Sequence, residues 1–180
     1  MTEPLILSLR LDAETFSRFD GLRRVYFPAR LNHLSAHLTL FHHLPGDARE
    51  RIEADLRAMV PSAPLGLQVT GLRSLGRGVA FEIASAGLSS LRASLARRWS
   101  AWLTPQDRQG FRPHVTVQNK TTSEEARALR AFLTAGFTPF SARGEGLLLW
   151  RYLGGPWALE TEVPFTPALT ASRAATGDLG

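Results

Sequence analysis

SAHLTLFHHLP, residues 35–45, and FRPHVTVQNK, residues 111–120, are the stretches on which the reading of the fold turns. Each holds a histidine, an apolar residue, a threonine and a second apolar residue: His37-Leu38-Thr39-Leu40 and His114-Val115-Thr116-Val117. In an extended strand successive side chains point to opposite faces, and residues i and i+2 share a face about 6.5 Å apart. His37 and Thr39 then face one way while Leu38 and Leu40 face the other. His114 and Thr116 stand in the same relation to Val115 and Val117. Each strand buries an apolar edge and presents an imidazole and a hydroxyl on its opposite face.

Working outward, Pro4 to Arg10 alternates as a strand. Asp12 is placed to cap a helix in which Phe16, Phe19, Leu22 and Tyr26 recur at near-helical spacing. The first motif strand runs from Ala36 to Phe41. After Pro45-Gly46, Asp47 and Glu50 have capping-box spacing before a helix with Ile52, Leu56, Met59 and Val60 on one face, stopped by Pro61 and Pro64. Two strands, around Leu65–Val69 and Val79–Ile83, join near Ser74-Leu75-Gly76. A helix follows with Leu88, Leu91, Leu95, Trp99 and Trp102 on one stripe, and Arg92, Arg97 and Arg98 off it as a solvated face. Pro113 opens the second motif strand, and Thr121 to Glu124 has the form of a capping box ahead of a helix with Ala126, Leu129, Phe132 and Leu133. Final strands are expected near Glu145–Tyr152 and Trp157–Phe165. Residues 1–166 read as one domain and 167–180, without periodicity, as a flexible tail.

Both halves thus repeat a strand with His-x-Thr, a turn and a capped amphipathic helix. The 77 residues between His37 and His114 are too long a period for a solenoid and suit two duplicated lobes. The chain is an α/β mixture in which strands outnumber helices.

Composition narrows the chemistry. There is no cysteine, which removes disulfides, thiolate nucleophiles and sulfur-ligated zinc. The net charge is +5 and Lys120 is the only lysine. An arginine-dominated basic chain is compatible with a nucleotide or nucleic-acid partner, although on composition alone solvated charge is the default. The apolar run Leu5 to Leu9 is too short to span a bilayer and follows Glu3 rather than basic residues, so a soluble cytoplasmic protein is expected.

If the two lobes face each other, two histidines and two threonines line one cleft, a sufficient set for in-line phosphodiester chemistry. One neutral imidazole takes a proton from the attacking hydroxyl, and the other, protonated, gives one to the leaving oxygen. The threonine hydroxyls donate to the non-bridging oxygens as charge builds on them. No metal or cofactor is needed. A single His-x-Thr in an apolar strand is commonplace; two copies in matching contexts, in a chain with five histidines, are not.

The two motif strings, with LLLWRYLGGPWALETEVPF at residues 147–165, make the chain resemble the two-histidine phosphoesterase superfamily, in its branch of bacterial 2′-5′ RNA ligases and cyclic phosphodiesterases. The resemblance extends over residues 4–166. It implies an α/β (α+β) fold of two pseudo-symmetric lobes, each a small, mostly antiparallel sheet with helices on its outer face, around a central cleft. It implies a monomer acting on RNA ends or small cyclic nucleotides, with His37 and His114 as the catalytic pair and Thr39 and Thr116 as phosphate-binding residues. By analogy His114 is the base and His37 the acid in opening a cyclic phosphate. Many relatives carry a basic residue soon after the second motif, where this chain has Gln118-Asn119. Its place falls to Lys120, Arg112 or Arg151, with Tyr152 as a further substrate contact. An RNA- or nucleotide-binding module without turnover, and a phosphodiesterase for a small cyclic phosphate metabolite, stay open as alternatives.

His33, His42 and His43 raise the question of a metal cluster. The motif reads as a strand, however, and HLSAH lacks the glutamate of HExxH, so loop and edge histidines are the expectation. Trp150, Tyr152 and Trp157 are candidates for stacking on a base, with core packing the default for at least two of the three.

Overall fold

The computed structural model describes residues 2–165; the tail expected at 167–180 lies outside them. Strand β1 (Leu5–Leu11) is buried along nearly its whole length and runs into Asp12. The Asp12 carboxylate accepts from the Thr15 amide and so satisfies a donor that the N-terminus of helix α1 (Ala13–Tyr26) would otherwise leave free. Strand β2 (Leu38–Leu44) carries the first motif, with His37 immediately ahead of it. Helix α2 (Arg49–Met59) buries Ile52 and Leu56 as expected. The capping box of Asp47 and Glu50 does not form, because residues 46–48 wind into a 3₁₀ turn that moves the helix start beyond Asp47.

Strands β3 (Leu65–Ser74) and β4 (Val79–Ala84) form the expected hairpin, with Gly76 at φ +80° in its turn. Helix α3 (Ala86–Arg98) and the single turn α4 (Pro105–Arg108) lead to β5 (His114–Gln118), the second motif strand. Helix α5 (Ser123–Ala135) has its capping box one residue later than expected, between Thr122 and Glu125. Strand β6 (Phe140–Tyr152) begins well before Glu145, and β7 (Trp157–Pro164) closes the described fold.

Neighbouring strands are antiparallel throughout, in the order β2-β1-β6-β3-β4-β5, with β7 also on β6. The two small sheets expected of two lobes are the two ends of this one. Residues 140–144 of β6 pair with β3 and residues 144–151 with β1, so a single long strand serves both and fuses them. The helices cover the outer face, and two of them change sides. Helix α1 follows β1 but packs behind β5, where Phe19 lies 5.1 Å from Phe81 between ring centroids. Helix α3 follows β4 but packs behind β2, where Trp99 meets Phe41 edge-on at 5.2 Å.

The motif strands share a second feature. Thr39 pairs with Ser8 and Phe41 with Leu7, so Leu40 is an extra residue in β2. Thr116 pairs with Ala80 and Gln118 with Val79, so Val117 is an extra residue in β5. Each motif therefore carries a β-bulge directly after its threonine. Strict alternation would turn Phe41 and Gln118 to the side of the threonines; both are buried instead, at 0% and 7% exposure. Gly78 lets β5 make this turn, since a Cβ there would lie 2.1 Å from the Gln118 carbonyl oxygen.

Two buried arginines hold the bulges. Arg92, expected on a solvated face, is only 6% exposed: its Nε donates to the Leu40 carbonyl at 2.8 Å, and a terminal nitrogen donates to the Asp107 carbonyl. Helical periodicity misplaced it because a guanidinium can be buried at little cost when carbonyls receive it. Arg23 of α1 donates to the carbonyls of Leu34 and Thr116, both at 3.0 Å. Replacing Arg92 by methionine keeps most of the volume and leaves two carbonyls without donors. Urea unfolding of Arg92→Met should show a loss of about 2–4 kcal/mol, whereas the exposed Arg97→Met should stay within about 0.5 kcal/mol of the parent.

Candidate active site

Arg23 and Arg92 each touch the backbone of both motif segments. Arg23 joins Leu34, on the approach to His37, to Thr116; Arg92 joins Leu40 to Asp107, on the approach to His114. Asp20, also on α1, accepts from the Ala36 amide at 2.9 Å and fixes the residue before His37.

The two imidazoles are held alike. His37 Nδ1 lies 2.8 Å from the Ser35 carbonyl oxygen, and His114 Nδ1 lies 2.8 Å from that of Arg112. A carbonyl oxygen only accepts, so each Nδ1 carries its proton and donates, and each Nε2 is left with its lone pair. Neutral, either ring is a base at Nε2; protonated, either is an acid at the same atom. Arg73 Nη2 also approaches His114 Nδ1, at 3.1 Å. With that N–H committed to Arg112, the approach is of a cation to the ring and opposes its protonation.

Around these matching rings the surroundings differ. Burial pushes His37 down from 6.5 to about 4, and the charges of Arg23, His114 and His42 act in the same direction against the opposing Ser35 carbonyl. Burial also lowers His114, with Arg73 and His42 adding to it, while the Arg112 carbonyl and Glu82 oppose. Trp157 packs on His37 with ring centroids 4.6 Å apart, and Trp150 lies 6.1 Å from Trp157 and donates to Ser8 Oγ. These rings, with Phe16, Leu34 and Leu148, line a cavity of about 580 Å³ that opens beside His37. Thr39 pairs with Ser8, which also lines the cavity, so the Thr39 hydroxyl is on this face of the sheet. Thr116 is on the corresponding face of β5 with His114, opposite Ala80 and Glu82. Neither threonine nor His114 lines the cavity itself.

The remaining expected contacts separate. Arg112 is exposed and lends its carbonyl to His114. Lys120 is exposed in the turn after β5, at φ +60°. Arg151 is not brought to this cavity: it alternates with Trp150 on β6, pairs with Glu160 at 2.8 Å and Glu3 at 3.7 Å, and lines a different recess. Tyr152 is exposed at the end of β6, paired with Trp157 across the ladder but not lining the cavity. Arg73, His42 and Asp107 were missed. Arg73 is a lone cation in an otherwise uncharged strand, which was an available signal. Asp107 gave none, because its partners are 64 and 65 residues away.

Among the described residues no group of three or more histidine, aspartate or glutamate side chains is placed to hold a metal ion, and no helix is long and apolar enough to cross a membrane.

The model of the 2′-5′ RNA ligase superfamily matches residues 11–156. Among solved structures, TT0787 of Thermus thermophilus superposes with a TM-score of 0.62 at 16% identity, covering 90% of this chain and 97% of that one. E. coli LigT complexed with 3′-AMP gives 0.57 at 16% identity, covering 92% and 99%. E. coli LigT complexed with NADP⁺ gives 0.59 at 17% identity over the same shares. No curated protein sequence matches.

The environments of the two rings predict their titration. Followed by NMR, the His37 imidazole should titrate at about pH 4 and His114 below 6.5. Since the unfolded chain binds those protons near 6.5, folding stability should fall as pH drops from about 6.5 toward 4. A His37 midpoint at or above 6.5 would contradict this description of the site.

Proposed function

The chain belongs to the 2′-5′ RNA ligase superfamily, and from that premise we propose that it is a metal-independent phosphoesterase acting on RNA or nucleotide 2′,3′-cyclic phosphates or 2′-5′ phosphodiester linkages. The observation that carries the reading is the pair of imidazoles held in one tautomer by carbonyls two residues upstream, on strands bound to each other through Arg23 and Arg92.

His37, the more strongly depressed ring, is neutral at every pH above about 4 and serves as the base that takes the proton from water. His114, less buried among apolar groups and faced by Glu82, is the acid that protonates the departing ribose oxygen. This reverses the roles implied by analogy with cyclic-phosphate-opening relatives. The hydroxyls of Thr39 and Thr116 donate to the non-bridging oxygens as the phosphorus becomes five-coordinate, and Arg73 adds positive charge on the His114 side. The arriving phosphate anion raises the affinity of both rings for protons and supports the protonated acid.

The aromatic cavity beside His37 suits one nucleobase, with Trp157 and Trp150 as its walls. LigT, crystallised with 3′-AMP and with NADP⁺, supports a nucleotide as the class of ligand. A cavity of about 580 Å³ also favours a second reading, a small cyclic phosphate metabolite in place of an RNA end. Arg112 and Lys120 are exposed on either side of β5 and are available as contacts for a longer substrate.

Hydrolysis of 2′,3′-cyclic nucleotides and 2′-5′-linked dinucleotides in the presence of EDTA tests the proposal. kcat/KM should rise as pH passes about 4, where His37 loses its proton, and fall as pH passes the His114 value below 6.5. His37→Ala and His114→Ala should each lower kcat by about 10²–10⁴-fold, with the double variant little worse, because both act in one transition state. Near-full activity in either single variant would end the two-histidine mechanism, and binding without turnover in the parent would leave a nucleotide-binding module.

A further inference from the structure

We propose that His42 is a third functional imidazole of this cleft, oriented by the buried Asp107 so that its Nε2 donates a hydrogen bond to a non-bridging oxygen of the substrate phosphate. The assignment rests on the phosphoesterase reading and adds to it a residue outside both His-x-Thr motifs.

The backbone comes first. Without the bulge at Leu40, Phe41 would share the face of Thr39 and His42 would point into the core. The extra residue sends Phe41 inward against Trp99 and Arg92, and turns His42 back to the side of Thr39. In the second half the residue two beyond the bulge is Asn119, a neutral residue just past the end of β5. The exposed surface of His42 is therefore produced by the backbone feature that shapes both motifs.

Asp107 acts next. Its side chain is almost wholly buried, and it accepts from the amides of His42 (2.9 Å) and His43 (3.0 Å) and from His42 Nδ1 (3.0 Å). The two amides alone would account for a structural carboxylate. The third bond does something further: it fixes a proton on Nδ1 and turns Nε2 outward, so that the imidazolium form of the ring donates through Nε2. A buried carboxylate behind an imidazole whose side chain is 45% exposed is an arrangement for holding an anion outside it.

Position completes the case. β2 and β5, the strands that carry the two motifs, lie against each other, and His42 stands on the Thr39 face of β2, which puts it beside the cleft the two motifs share. On the His114 side Arg73 is the cation. On the His37 side, among the described residues, Arg10 is taken by Glu162 and Arg23 is buried beneath the strands. His33 also lines the cavity beside His37, but His42 is the imidazole that a buried carboxylate orients, and so the one held in place to balance Arg73 as charge builds on the phosphate oxygens.

The test is a titration of the folded protein with inorganic phosphate, read from the ¹⁵N and ¹H signals of the histidine rings near pH 6. His37, His114 and His42 should shift with one common Kd, and His42→Phe should weaken phosphate binding by about tenfold or more, the value of one charge-assisted hydrogen bond. His42→Gln, which keeps a donor, should recover part of that loss, and unchanged backbone amide signals of Ala36 and Thr116 in both variants would show the site intact. If His37 and His114 respond while His42 does not, and His42→Phe binds phosphate as the parent does, the proposal is overturned and the two-histidine site stands. If no ring responds to phosphate, the phosphoesterase reading fails and this assignment with it.

Discussion

One guanidinium on each side of the molecule ties the backbone before or within one motif to that of the other. The Leu40 and Thr116 carbonyls lie at bulges, where a regular ladder is interrupted, and a buried carbonyl without a donor costs about 1–3 kcal/mol. Arg92 and Arg23 supply the donors, and each comes from a helix that left the opposite half of the sheet. The exchange of α1 and α3 between halves is thus more than a packing preference. It delivers a cation to the carbonyl where each motif bends and holds the approach to the other motif in the same grip. Loosening either arginine would release both histidines together.

From that shared frame the two halves diverge where chemistry requires it. Each ring keeps its proton on Nδ1 by the same bond to a carbonyl two residues earlier, so each offers the same atom to substrate. Their protonation is separated by what lies around them. His37 packs against Trp157 beside an apolar cavity, while His114 lies between Arg73 and Glu82. Two similar motifs with unlike neighbours yield two imidazoles of different basicity, which the proposed acid–base pair would need.

Much of this was legible in the chain. The cap at Asp12, the hairpin at Gly76, the stop after α2 and both motif strands follow from local rules that the fold does not override. What was not legible depends on bonds between distant residues. Arg92 reads as solvated because helical periodicity carries no record of the Leu40 carbonyl, 52 residues away. Alternation counted from Thr39 would turn His42 into the core, because it has no knowledge of the extra Leu40. The capping box of α2 fails where a 3₁₀ turn consumes Asp47, a competition between two local structures that composition does not decide. Arg151, a candidate substrate contact in the sequence, is taken by Glu160 and Glu3 in a different recess, while its neighbour Trp150 faces the other way and reaches the cavity.

The central claim is that the two bulged strands present His37 and His114 to opposite sides of one phosphorus. A crystal structure with a nucleoside 2′,3′-cyclic vanadate, whose five-coordinate centre imitates the transition state, tests it most directly. The Nε2 atoms of His37 and His114 should lie within about 2.6–3.2 Å of the two apical oxygens, with the base against Trp157 and Trp150. A vanadate held by only one of the two rings, or seated away from both, would contradict it.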